Sequence, residues 1–351
     1  MDLKEVIRTA AERKASDVFL KANMVPAIRV NGSVEVLDLP PVSGPDLQTT
    51  VESLMSPEQL SHFKAHHEMD LAFDVDGVCR VRANLYQQRH QSAMVMRLVP
   101  LQVMTLEELG LPPVLKELAA CRQGLILVTG PTGCGKSTTL AAMVDLINRT
   151  RRCNIVTVED PVEFVYDDQL ATVSQREVGI DTDSFTAALR HVVRQSPDVI
   201  LIGEMRDTET MNVALQASET GHLVFSTVHT ASAGETLERI VNMFPPHEKN
   251  QICLRMAGSL RGVVSQKLLP RADGKGRVAA CEILVATPTV SKLVEEGRSS
   301  QLHAVMAEGG FYGMQTLNQC LARYAKAGLI TEEEALFAAT TVTELKQLLR
   351  R

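Results

Sequence analysis

A chain of 351 residues is long enough for two domains, or for three. Its 45% hydrophobic and 22% charged residues are ordinary for a soluble protein with a core, and no apolar run is long enough to cross a bilayer. The formal net charge of −6 argues against a protein that tracks along nucleic acid, whose phosphates favour basic surfaces. The first residues carry charges and no signal-peptide core, and the seven cysteines form no C-x-x-C pair. We therefore expect a cytoplasmic protein with reduced thiols.

Short elements of both kinds alternate over residues 1–100, which predicts a small α+β domain. Asn31 and Gly32 predict a hairpin turn, and Ser56 predicts the N-cap of a helix with Pro57 in its first turn. The other predicted elements are a helix over 3–13 and strands over 16–20, 27–30, 71–75, 79–86 and 92–98.

A linker is predicted over 101–113, because it ends in the strongly interrupting Gly110-Leu111-Pro112-Pro113. From 114 to 351 the pattern is typical of a mostly parallel sheet with helices on both faces. Strands are predicted over 125–129, 154–158, 199–203 and 223–227. The chain then becomes helical after about residue 290, with a last helix over 335–349.

A complete phosphate-binding loop follows the strand over 125–129 and precedes a helix that begins near Thr138. Backbone N–H groups of such a loop converge on one point, and glycines allow its tight path. Lys136 would place its charge on the β- and γ-phosphates, and Ser137 would offer a hydroxyl to Mg²⁺. Cys134 is either a small filling residue or a redox-sensitive one. The loop residues are Gly130, Pro131, Thr132, Gly133, Cys134, Gly135, Lys136 and Ser137.

Two groups of carboxylates follow predicted strands. Glu204 ends the strand over 199–203, which we expect beside the phosphate-loop strand, so that Glu204 faces Mg²⁺ and the attacking water. The alternative is a core strand that ends in a surface glutamate. Glu159, Asp160 and Glu163 crowd around a proline, and one of them could deprotonate water; a solvated acidic turn is the alternative.

Histidines and arginines supply further candidates. His222 and His229 flank the strand over 223–227 and are interpreted either as structural residues or as sensors of the γ-phosphate. Arg80, Arg82 and Arg97 lie on strands of the first domain. They are either solvated or act as arginine fingers across a domain or subunit boundary.

These motifs in this order resemble the secretion-superfamily ATPases, and within them the PilT/PilU family of type IV pilus retraction ATPases. The resemblance covers almost the whole chain. Residues 130–137 match the family's Walker A motif, 159–163 its Asp box, 200–207 its Walker B segment and 220–230 its His box.

The resemblance implies an N-terminal PAS-like domain and a RecA-like P-loop ATPase domain, assembled as hexameric rings that hydrolyse ATP with Mg²⁺. By the same resemblance Glu163 is the general base, and Glu204 is the Walker B carboxylate. His222, His229 and Arg239 would respond to the nucleotide, to which Arg80, Arg82 and Arg97 would add positive charge. The implied partners are an inner-membrane pilus platform protein and a paralogous retraction ATPase, at the cytoplasmic face of the membrane, with no nucleic acid.

Retraction is favoured over three alternative functions. Pilus assembly and type II secretion ATPases carry a four-cysteine zinc motif that this sequence lacks, and a nucleic-acid motor is disfavoured by the charge. A nucleotide-binding regulator without turnover is disfavoured by the intact Glu163 and Glu204. The segment 289–296 departs from the motif expected of PilT, and Phe19 resembles PilU. Principal motor and accessory paralogue therefore both remain as interpretations.

Overall fold

The computed structural model describes residues 2–30, 32–100 and 103–350, which form two compact units, Met1–Gln102 and Val103–Arg351. The segment 103–113 belongs to the second unit rather than to a free linker, because Val103, Leu106 and Leu111 are buried in its core. Residues 101 and 102 of the predicted linker, and Asn31 of the predicted hairpin turn, lie outside the described residues.

In the described part of the first unit, an antiparallel sheet of six strands carries three helices. Val18, Leu20 and Met96 point from the sheet towards Ile7 and Leu47 of the helices and form the core. The strand order is β3-β2-β1-β6-β5-β4. The strands are β1 (Asp17–Lys21), β2 (Ala27–Val30), β3 (Ser33–Val36), β4 (Glu68–Val75), β5 (Cys79–Gln88) and β6 (Gln91–Pro100), and the helices are α1 (Leu3–Glu12), α2 (Gly44–Ser53) and α3 (Pro57–His66).

The predicted start of α3 is confirmed in atomic detail. The hydroxyl of Ser56 accepts a hydrogen bond from the Gln59 N–H at 3.2 Å, and the Gln59 side chain accepts one from the Ser56 N–H at 2.9 Å. This reciprocal pair satisfies two backbone donors that the first helical turn leaves free.

Among residues 103–350, seven strands form a second sheet in the order β13-β12-β7-β11-β10-β8-β9. All neighbours are parallel except β12 and β13, which form an antiparallel pair. The strands are β7 (Gly124–Thr129), β8 (Asn154–Glu159), β9 (Thr172–Glu177), β10 (Val199–Ile202), β11 (Leu223–Val228), β12 (Leu260–Pro270) and β13 (Arg277–Val285).

Helices cover both faces of this sheet, as the alternating pattern predicts. Leu125 and Leu127 of β7 face one layer of helices, whereas Ile126 and Val128 face the other. The helices are α4 (Val114–Ala119), α5 (Lys136–Thr150), α6 (Phe185–Val192), α7 (Thr208–Glu219), α8 (Ala233–Asn242), α9 (Lys249–Ser259), α10 (Pro288–Glu295), α11 (Leu302–Glu308), α12 (Leu317–Lys326), α13 (Glu332–Ala338) and α14 (Val342–Arg350). No helix within the described ranges is long and apolar enough to span a bilayer.

Two expectations about this unit are wrong. β10 does not lie beside β7, because β11 is inserted between them and hydrogen-bonds to both. The helix expected over 335–349 is interrupted after Ala338, where Ala339 is extended with ψ of 140°. Asn318 of α12 holds the break: its side chain donates to the Thr341 carbonyl at 3.1 Å and accepts from the Thr340 N–H at 3.1 Å.

Candidate nucleotide-binding site

The loop between β7 and α5 has the backbone that its glycines predict. Gly130, Gly133 and Gly135 have φ of 142°, 78° and 91°, values that side chains with a Cβ rarely adopt. Gly135 is the N-cap of α5, so the first N–H groups of the helix open onto the concave side of the loop. This backbone suits an anion such as phosphate, and Ser137 and Thr138 stand in the first turn of the helix.

Lys136 is folded back over the loop. Its ammonium group donates to the carbonyl oxygens of Gly130 at 3.0 Å and Pro131 at 3.1 Å, and the side chain is largely buried. Pro131 and Thr132 remain exposed at the loop's rim. The positive charge is thus held against the loop, and its contact with a phosphate stays a prediction.

Cys134 is buried under the loop, and desolvation raises the pKa of its thiol, with Lys136 opposing the rise. A buried thiol with a raised pKa holds little thiolate and reacts slowly. Of the two interpretations of Cys134, the structure favours the small filling residue over the redox-sensitive one.

Glu204 follows β10 and points to the same edge of the sheet as the loop. Arg206 donates to its carboxylate at 2.7 Å, and the Nε2 of His229 lies 3.4 Å away. Burial alone would raise the pKa of Glu204, but the hydrogen bond and charge of Arg206, with smaller contributions from His229 and Lys136, outweigh it and lower the pKa. Glu204 is therefore an ionised carboxylate, the type of oxygen donor that Mg²⁺ prefers.

The acidic segment after β8 has one buried and one exposed glutamate. Glu159 is buried and accepts hydrogen bonds from the Thr157 hydroxyl at 2.7 Å and the Gln175 amide at 3.2 Å. Desolvation by burial raises the pKa of Glu159, against the effect of these hydrogen bonds. Glu163 is exposed, and its backbone N–H points to Glu159 at 3.5 Å. Glu163 and Asp160 are thus open to solvent, whereas Glu159 is not.

The two histidines lie at opposite ends of β11. β11 runs parallel to β7, so His229 follows its carboxyl end beside the loop, whereas His222 precedes its amino end. The Nδ1 of His222 contacts the Ala217 carbonyl at 2.9 Å. His222 therefore lies outside the phosphate site of its own chain, which corrects the grouping expected from the sequence. Arg239 of α8 lies near His229, at the end of the sheet that carries the loop, and donates to the His229 carbonyl at 3.4 Å.

The arginines of the first unit lie on one face of its sheet. Arg82 stands directly opposite Arg97 on the neighbouring strand, and Arg80 pairs with Asp74 at 3.4 Å. Arg97 also pairs with the buried Asp17 at 3.1 Å. Their proposed action on a nucleotide stays a prediction.

The sequence does not reveal the residues of β12 that hydrogen-bond to the loop and its flanking elements. The Thr129 hydroxyl donates to Ser265 at 2.8 Å, and Gln266 hydrogen-bonds to both Cys134 and Thr139. Ser265 and Gln266 belong to β12, more than 120 residues further along the chain, and no local motif marks them.

The chain is similar to known proteins over almost its whole length. Residues 1–341 match the family model described as "Type II/IV secretion system protein". The chain is 44% identical to the type IV pilus retraction ATPase PilT of Pseudomonas aeruginosa over 335 residues, covering 95% of this chain and 97% of that protein. It is 39% identical to the type IV pilus ATPase PilU of the same organism, covering 100% of this chain and 92% of PilU. The crystal structure of the pilus retraction motor PilT with bound ADP superimposes with a TM-score of 0.92 at 42% identity, covering 99% of both chains.

Proposed function

Because the chain belongs to the PilT/PilU family of type IV pilus retraction ATPases, we propose that it is an ATP-driven motor that withdraws pilins from the pilus base and powers twitching motility. Its two units correspond to the family's PAS-like and RecA-like domains.

One observation carries the proposal: a single edge of the second sheet collects the groups that phosphoryl transfer needs. The phosphate loop, Glu204, His229 and the Glu159–Glu163 segment all follow the carboxyl ends of parallel strands. In open α/β sheets that edge is where ligands bind.

The residues divide the chemistry among them. Lys136 and the loop's N–H groups would hold the β- and γ-phosphates of ATP, while Ser137 and Glu204 would hold Mg²⁺, which neutralises charge on the phosphates. Glu163 would accept a proton from water as the water attacks the γ-phosphate, giving ADP and phosphate. Arg206 and His229 keep Glu204 ionised and in position.

The assembly that we propose is a homohexamer on the cytoplasmic face of the inner membrane, acting on a pilus platform protein and alongside a paralogous retraction ATPase. Arg80, Arg82 and Arg97 would reach the nucleotide through packing within the ring and stabilise transition-state charge. Light scattering at micromolar concentration with Mg²⁺ and ATP should give the mass of six chains, and a persistent monomer would contradict the ring.

A cell experiment separates retraction from pilus assembly or secretion. We expect that deleting the gene leaves excess surface pili and no twitching, and that the wild-type gene restores movement whereas Lys136→Ala does not. Lys116→Ala is a matched control, because Lys116 pairs with Glu107 at the surface. A deletion strain without pili would instead indicate an assembly ATPase.

A further inference from the structure

Gln266 occupies an unusual position behind the phosphate loop. It lies in β12 with only 2% of its surface exposed, and both ends of its side-chain amide are used. Its Nε2 donates to the Cys134 carbonyl at 2.7 Å, and its Oε1 accepts from the Thr139 hydroxyl at 3.0 Å. One side chain therefore joins the loop to the helix that follows it.

The hydrogen bond to Cys134 determines where the next N–H points. In a trans peptide the C=O and N–H groups point in opposite directions. When Gln266 holds the Cys134 carbonyl towards β12, the Gly135 N–H is aimed away from β12. Gly135, which follows this peptide, has φ of 91°, and a glycine adopts either sign of φ at little steric cost, so Gly135 does not itself fix the orientation.

The backbone of Gln266 also supports the start of the loop. A Cβ placed on Gly130 would lie 2.4 Å from the Gln266 carbonyl oxygen, so β12 and Gly130 pack as closely as a glycine allows. Gln266 thus contacts the loop at its first residue, at its fifth residue and through the helix that follows.

We propose that Gln266 is a positioning residue for phosphate binding, which fixes the Cys134–Gly135 peptide so that the Gly135 N–H faces the bound phosphate. The proposal rests on the proposed role of the loop as the nucleotide site. Gln266 itself touches no phosphate. Its effect should therefore appear with ADP as well as with ATP.

The test compares ADP affinity by calorimetry in Gln266→Met and wild type. Methionine keeps the length of the side chain and removes the donor, and we expect ADP to bind roughly tenfold more weakly, the effect of one buried hydrogen bond. Thr139→Val leaves the Nε2 donor in place and should weaken ADP binding less.

Gln266→Glu gives a readout that a purely structural role would not move. A protonated carboxyl group can donate to the Cys134 carbonyl again, whereas a carboxylate cannot. We expect the ADP affinity of Gln266→Glu, measured relative to Gln266→Met, to rise as the pH falls. If the ratio of these two ADP affinities stayed constant across pH, the hydrogen-bond donor at position 266 would not be what supports ADP binding.

Gln315→Met is the matched control. Gln315 is 8% exposed and donates a hydrogen bond at 2.7 Å to the carbonyl of Cys281, the β13 residue that pairs with Gln266, so it perturbs the same strands through β13 rather than through a hydrogen bond to the loop. The variant Gln315→Met should lower the melting temperature and leave ADP affinity unchanged. Equal losses of ADP affinity in both variants, or none in a folded Gln266→Met, would overturn the proposal. A wild-type protein that binds ADP but whose deletion leaves pilus retraction unchanged would overturn the proposed function alone, and one that binds no ADP would overturn both.

Discussion

At the scale of single residues, Glu163 and Glu204 separate binding from turnover. Glu163→Gln and Glu204→Gln keep side-chain volume and remove one charge. ATP should still bind, while turnover falls by about 10²–10⁴-fold, the usual effect of losing a general acid or base. A coupled phosphate-release assay measures this, with Glu209→Gln as the control because Glu209 pairs with Arg190 at the surface. Normal turnover in Glu163→Gln would reassign the base, with Glu204 as the first candidate.

Glu159 should make stability depend on pH in a defined direction. Burial raises the pKa of Glu159 in the folded chain, so the folded state binds its proton more tightly than the unfolded state does. The favourable contribution is complete below the ordinary glutamate pKa and is lost as pH rises through the raised value. Glu159→Gln has no such proton and retains an acceptor for the Thr157 hydroxyl.

The expected result is a melting temperature that improves for Glu159→Gln, relative to wild type, as pH increases from acidic to neutral. Glu209→Gln provides the comparison, because Glu209 pairs at the surface with Arg190 and arginine keeps its charge over this pH range. A difference between Glu159→Gln and wild type that stays flat with pH would show that folding does not raise the pKa of Glu159.

At the scale of helices and strands, Asn318 should control the break between α13 and α14. Besides its two contacts to the backbone, its side chain donates to Glu344 at 2.6 Å. Asn318→Leu would leave these partners unsatisfied and should lower the free energy of unfolding by about 2–3 kcal/mol. Denaturant titration measures this; the exposed Asn250→Leu should change it little. An unchanged midpoint for Asn318→Leu would show that the break forms without Asn318.

Element identity was more predictable than element order. β7, β8, β10 and β11 are continuous apolar runs, which buried parallel strands require, and all four were predicted. β9 was missed because it is a polar edge strand, Thr172–Glu177, with few buried positions. The insertion of β11 between β7 and β10 has no local signal, since it depends on which strands pair.

The residues of the candidate site likewise divide into those that the sequence can predict and those that it cannot. The phosphate loop, Glu204 and Glu163 could be predicted because each belongs to a contiguous motif. Gln266 could not, since its role comes from a contact with Cys134 across 132 residues. The helix expected over 335–349 failed because its interruption is held by a side chain of another helix.

At the scale of the whole molecule, the open question is whether this chain pulls pili alone. The intact nucleotide motifs predict ATPase activity in either case, whereas α10 and its C-cap Glu296 carry the altered segment 289–296, and Phe19 resembles PilU. An accessory motor should hydrolyse ATP and yet fail to restore twitching in a strain that lacks every other retraction ATPase. Twitching assays in that strain decide this, with Lys136→Ala as the inactive control. Rescue by the wild-type chain would exclude the accessory role.

The inserted strand β11 sets the distance between the phosphate loop, which follows β7, and Glu204, which follows β10. Neighbouring strands lie about 4.8 Å apart, so β7 and the strand that carries Glu204 are separated by about 10 Å. A diphosphate seated on the loop is shorter at this end by one phosphoryl group than a triphosphate. A third phosphate would extend towards the Glu204–His229 pair, so the width of one strand would let the chain distinguish a triphosphate from a diphosphate. ATP and ADP would therefore differ in whether a phosphate fills the space beside Glu204 and His229, in addition to differing in charge.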